Sequence, residues 1–181
     1  MGKIQSTCDG AAIKFIAEQP LFFVASAPLD AEGHINVSPQ GLDSLRLLNP
    51  ATVADLDLTG SGVDRIAPRK ENGRSVIMFC AYQGRPNLVR RHGRGRVVEP
   101  QEAEFPERAG LFPAYEGTRS LVVVDLDRVS DSCGYAVPSM KFDRQRSQLV
   151  RWASKKGPEG LKTYRQQKKR PSLDGLPGLA E

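Results

Sequence analysis

From Val53 to Val98 the chain repeats one pattern, β-type runs joined by connections too short to hold crossover helices. Val53 to Leu58 alternates apolar and polar residues, the period of a half-buried strand. Thr59-Gly60-Ser61-Gly62 follows, then a short helical piece, VDRIAPRKEN. Ser75 to Ala81 reads as a short apolar strand, and Leu88 to Val98 as a longer one carrying Arg90, Arg91, Arg94 and Arg96. Parallel neighbours need crossovers of a dozen or more residues, so short links favour an antiparallel barrel.

The Thr59–Gly62 turn invites a chemical reading. At a helix start it would offer unpaired backbone N–H groups beside two hydroxyls, an arrangement that suits phosphate. It matches neither the phosphate loop ending in Gly-Lys-Ser/Thr nor the dinucleotide fingerprint with three spaced glycines. Taken alone, such a sequence is as readily a plain turn. In a regular strand Arg90, Arg94 and Arg96 share a face and Arg91 points the other way.

The remaining chain extends the β pattern. Ser6 to Asp9 can cap a helix over Gly10 to Gln19, which Pro20 ends. Leu21 to Ala27 and His34 to Ser38 form a hairpin, with Ser38-Pro39-Gln40-Gly41 expected to break its ladder. Leu42 to Asn49 reads as a loop or one helical turn, and Glu99 to Glu107 as a short acidic surface helix with turns. Arg119 to Asp131 is the strongest strand in the sequence. About six strands result. Lys141 to Ser154 and Glu159 to Lys169 read as helices, the first amphipathic. Pro68 is expected to kink the helix after the glycine turn. The apolar tail around Leu173, Leu176 and Leu179 is expected to dock on a surface, its own or a second subunit's.

Composition narrows the class. The 181 residues carry 39% hydrophobic and 26% charged side chains, enough for one domain with a real core. We expect a barrel core over about 20–131 and a helical extension over about 141–181 within a single domain. No secretory signal or membrane-length apolar run is present, so a cytoplasmic protein is expected. Three scattered cysteines and two histidines argue against a metal cluster. Net charge is +5, and from Lys141 onward 11 Lys/Arg face 4 Asp/Glu. No Ser/His/Asp or Cys/His set and no carboxylate pair stands out, so no catalytic residue is assigned.

In order, LFFVASAPLDAEGHINVSPQG, DLDLTGSG, ENGRSVIMFCA and HGRGRVV resemble the pyridoxamine 5′-phosphate oxidase-like family of FMN-binding split-barrel proteins. The resemblance implies a mainly β, six-stranded antiparallel split barrel with flanking helices, dimerising with a flavin site at the subunit interface. Carried over by position, it assigns Ser38, Gln40, Leu56, Thr59, Gly60, Ser61, Gly62 and Arg90 to FMN, chiefly to its phosphate. Backbone of Val37 to Gln40 and of Asp55 to Leu58 would lie near the ring. Gln40 stands where similar sequences carry lysine, and SLDGLPG replaces the basic C-terminal pattern that holds the vitamin phosphate in biosynthetic members. The resemblance therefore implies an FMN-dependent oxidoreductase acting on a small organic substrate or nicotinamide, rather than a pyridoxine-phosphate oxidase. In such enzymes the flavin does the redox work and the protein binds and orients it. The alternatives are a non-catalytic flavin or haem protein, with His34 or His92 as axial ligand, and a deazaflavin-dependent reductase. Binding of nucleic acid or an acidic partner by the C-terminal helices is the less favoured reading.

Overall fold

The computed structural model describes residues 4–60, 62–168 and 171–180. Its elements in chain order are β1 (Ile4–Gln5), α1 (Gly10–Ala17), β2 (Phe22–Ser26), β3 (Asn36–Gln40), β4 (Leu45–Asn49), β5 (Thr52–Leu58), α2 (Ala67–Glu71), β6 (Arg74–Cys80), β7 (Leu88–Val98), α3 (Phe105–Ala109), β8 (Thr118–Ser132) and α4 (Gln148–Gln167). Every strand pairing is antiparallel. The order is β3-β2-β6-β7-β8-β5-β4, with β1 pairing the far end of β8. Among the described residues β3 and β4 do not pair, so the barrel is split rather than closed.

The long strand β8 shows why an apolar run can be a strand. Successive side chains point to opposite faces, and here both faces are covered. Val122, Val124, Leu126 and Val129 enter one core with Phe22, Val24, Ile77 and Phe79. Leu121 and Val123 enter the other with Ala54, Leu56, Val98 and Phe112. The alternation in β7 falls as its sequence implies: Arg91 is fully buried, while Arg94 and Arg96 are exposed. A bulge at His92/Gly93 resets the register against β8.

Several expectations change. Eight strands are described rather than six; β1 and β4 are additional, and β4 lies where a loop or helical turn was expected. Its residues LRLLN have no clean alternation, and pairing with β5 is what makes them a strand. The ladder of β3 runs through Pro39 and Gln40 instead of breaking there. An edge strand has one side without partners, so the missing proline N–H costs nothing. Pro68 does not kink a helix; it sits in the first turn of α2, where its N–H would be unpaired anyway.

At the C-terminal side, residues 141–147 have no regular structure, and α4 begins at Gln148. Gly157 (φ 65°) followed by Pro158 separates its two helical halves, close to the expected division. Lys169, the expected end of the second helix, lies outside the described residues. At the other end, Asp9 caps α1 as its sequence implies, its Oδ1 accepting from Ala12 N at 2.9 Å. The tail docks on its own chain. Leu179 packs on the first core, Leu173 N donates to Asp64 Oδ1 at 2.8 Å, and Asp174 receives His34 N and Nδ1. Those two bonds hold the Asp174 carboxyl below its usual range. Leu173 itself stays exposed. Among the described residues no helix is long and apolar enough to cross a membrane.

Candidate functional site

A cleft of about 710 Å³ opens between the end of β3, the β5–α2 connection, the start of β8 and residues 142–149. Ser38, Gln40, Leu56, Gly60 and Gly62 line it, bringing together five of the eight residues assigned from sequence. Ser61 lies outside the described residues. Thr59 is buried: its N–H and hydroxyl both donate to Gly117 O, at 2.7 and 2.8 Å, and its Oγ1 accepts from Arg165 at 3.4 Å. It anchors the turn from behind. Arg90 is not among the residues lining the cleft. It stands opposite Met78 and Ser130, and its Nη1 donates to Ser132 Oγ at 3.4 Å.

The expected helix start at the glycine turn is also absent. Residues 62–66 are not helical, and α2 is only five residues long. The positive charge at this cleft comes from arginines instead. Arg65, Arg119, Arg144 and Arg146 line it with Asp57, and Asp55 and Asp143 from outside the lining pair with Arg65 and Arg144. A dense charge network sets the positions of the first two. Arg119 Nε lies 2.5 Å from Asp57 Oδ2, and its Nη2 donates to Gly62 O at 2.7 Å. Ser120 Oγ donates to the same Asp57 oxygen at 2.8 Å. Arg65 pairs with Asp55 and, at 3.3 Å, with Asp57. Arg69, behind it, donates to Ser75 Oγ, Ala25 O and Arg65 O.

Burial governs the ionisation of this network. It pushes Asp55 up to about 6, against the pull of Arg65 and Arg69. Burial, with Arg65 alongside, brings Arg69 down to about 10. Burial also opposes the charge on Arg65, but Asp55 and Asp57 outweigh it and hold that guanidinium above its ordinary value. Arg65 Nε and Asp55 Oδ1 have no hydrogen-bond partner among the described residues.

Apolar residues complete the lining: Pro39, Leu42, Leu56, Leu58, Phe142 and Leu149. The outer edge of β3 is unpaired among the described residues, so its backbone has groups to offer a polar ring. The backbone of β5 is more committed, since Leu56 N already donates to Ser44 O at 2.7 Å. A molecule that carries both a flat apolar ring and an anionic group suits such a mixed lining. Sequence reasoning missed Arg65, Arg119, Arg144 and Arg146. Arg65 follows the glycine turn and Arg119 opens the strongest strand, but only the fold brings them to one cleft.

No family model matches the sequence. A curated relative, the pyridoxamine 5′-phosphate oxidase family protein ustO of Aspergillus flavus, is 38% identical over 179 residues, covering 89% of this chain and 71% of the relative. Among solved structures, HupZ of Group A Streptococcus matches with a TM-score of 0.52 at 19% identity, over 67% of this chain and 91% of that one. A protein of Lactobacillus delbrueckii described as a pyridoxamine 5′-phosphate oxidase matches at 0.53 and 15% identity, over 69% and 94%. A FAD-binding protein of Mesorhizobium loti matches at 0.51 and 11% identity, over 72% and 96%. At these identities the structural matches speak for the split-barrel fold.

Proposed function

Since this chain belongs to the pyridoxamine 5′-phosphate oxidase family, we propose that the arginine-lined cleft binds FMN and that the protein is a flavin-dependent oxidoreductase. The observation that carries this reading is the mixed lining of the cleft. Four arginines line it with Gly60 and Gly62, together with the apolar residues Leu42, Leu56, Leu58, Phe142 and Leu149. The phosphate would lie toward Arg65 and Arg119, with the turn that Arg119 braces, and the ring against Leu56, Leu58 and Phe142. Arginine suits the phosphate end because its planar fork matches two oxygens at once. When bound, FMN supplies hydride transfer to or from a small organic substrate or a nicotinamide. This chain's residues bind it, orient it and place positive charge beside it.

A homodimer belongs to the proposal. Val37, Met140, Phe142 and Leu149 are exposed beside or along the cleft. A second copy seated there would cover apolar surface that a monomer leaves in water. Light scattering after size exclusion reads the mass directly, and a monomeric species at micromolar concentration overturns this part.

The deciding experiment for the cofactor is an absorption spectrum of freshly purified protein, followed by titration with FMN. Retained or saturable bands at about 375 and 450 nm, as expected of a protein-bound oxidised flavin, support the reading. A Soret band points to haem. A colourless protein that ignores FMN but takes up a deazaflavin replaces the cofactor and leaves the cleft in place.

A further inference from the structure

A second hollow, of about 700 Å³, lies beside the first, and the two share Pro20, Leu42, Phe142 and Gln145. Its walls include Ile13 and Ile16 from α1, Phe22, Leu45, Leu47 and Phe79, and Arg91 also lines it. Arg91 is 0% exposed, and none of its three guanidinium nitrogens has an oxygen or nitrogen acceptor among the described residues. Its Cζ stands 5.8 Å from the centre of the Phe79 ring. The thiol of Cys8 lies within weak hydrogen-bonding reach of the guanidinium and is the partner it has there. A thiol is a weak acceptor, and burial pushes this one above its ordinary value, so it stays neutral.

A buried guanidinium cannot shed its charge, and an unpaired one is among the costliest groups a core can hold. We propose that this hollow binds an apolar monocarboxylate whose carboxylate pairs with Arg91. The charges lining the hollow sum to zero, and Arg91 is the arginine there without a carboxylate partner among the described residues, which suits a single negative charge. The hollow's other guanidinium, Arg46, is already bonded to Asp43, Leu45 O and Leu111 O. Glu18 and Asp43 also line the hollow and disfavour a second negative charge. The apolar walls demand an apolar body, and the volume lies within the range of about 300–1,000 Å³ usual for small-molecule sites. Because Arg91 is sealed from water, the incoming carboxylate displaces the ring or the thiol packed against it. The proposal does not depend on flavin occupying the neighbouring cleft.

Calorimetric titration of the whole chain with sodium decanoate and with decan-1-ol, both below their aggregation limits, tests it. Decanoate is expected to bind once per chain and at least tenfold more tightly than the alcohol. In Arg91→Met, decanoate affinity should fall to that of the alcohol, while the circular dichroism spectrum stays native. If that variant does not fold, the comparison of acid with alcohol on the unaltered protein decides. Equal binding of the two, binding of neither at millimolar concentration, or undiminished decanoate affinity in a folded Arg91→Met protein overturns the proposal.

Discussion

Arg119, at the start of β8, places its Nε 2.5 Å from Oδ2 of Asp57, near the end of β5. The carboxylate is almost fully buried and the guanidinium nearly so. The same guanidinium holds the carbonyls of Gly60 and Gly62. One ion pair thus ties the strand register of β5 and β8 to the shape of the turn that borders the cleft.

Replacing Arg119 with glutamine should therefore lower stability and loosen the turn together. Breaking a buried pair usually costs about 3–5 kcal/mol. Here Arg65 and Ser120 still hold Asp57, so a loss of about 2–3 kcal/mol is expected. Urea unfolding measures it, and a change below about half a kcal/mol would mean that the pair is not formed in solution.

Gln40→Lys tests the electrostatics of the proposed FMN site. It adds a cation to the cleft wall without disturbing the core, since Gln40 is half-buried on an edge strand. An additional partly exposed charge is worth about 1 kcal/mol, or about fivefold tighter FMN binding at low salt. The advantage should shrink as ionic strength rises. Flavin fluorescence quenching reads both, and unchanged affinity at low salt places the phosphate away from Gln40.

Gly93 sits at the bulge between β7 and β8, where a Cβ would overlap the carbonyl oxygen of Asp125. The obstacle is backbone, which cannot swing aside as a side chain can. Gly93→Ala should destabilise the sheet by about 2–4 kcal/mol through overpacking against the partner strand. A thermal midpoint equal to that of the unaltered protein would contradict the bulge geometry.

Glu104 supplies a pH dependence. Hydrogen bonds from Arg96 and Arg108 hold its carboxyl down to about 2. A depressed carboxyl stabilises the fold fully above its ordinary value of 4.5, and that contribution is lost as pH falls toward 2. The groups are partly exposed, so solvent screening leaves about 1 kcal/mol. Denaturant midpoints for Glu104→Gln should lie below those of the unaltered protein at pH 7. The two should converge as pH drops below about 4. A gap that persists unchanged to pH 2 would assign the effect to packing.

Much of the fold is readable from neighbouring residues alone. Asp9 before an apolar helix is a cap in the sequence and in the fold. The alternation in Leu88–Val98 puts Arg91 on the face away from Arg94 and Arg96, and that face proves to be the buried one; the ordered pieces from Phe22 to Val98 point to the right family. What misled was context. Pro39 looks like a strand breaker until β3 proves to be an edge. Leu45–Asn49 has no pattern of its own and becomes a strand by pairing with β5.

The sequence by itself determined most of the elements, because capping, period and turn chemistry act over a few residues. It also brought Ser38, Gln40 and the Thr59–Gly62 turn into view, since each belongs to a local run. Only the tertiary structure decided which charges meet. Arg119 and Asp57 are 62 residues apart, and their contact depends on β5 lying beside β8 in one particular register. The same holds for Arg91, whose lack of an oxygen or nitrogen acceptor among the described residues is visible only once the core has closed around it. Strand order and register are collective outcomes of packing. No short stretch of the chain contains them.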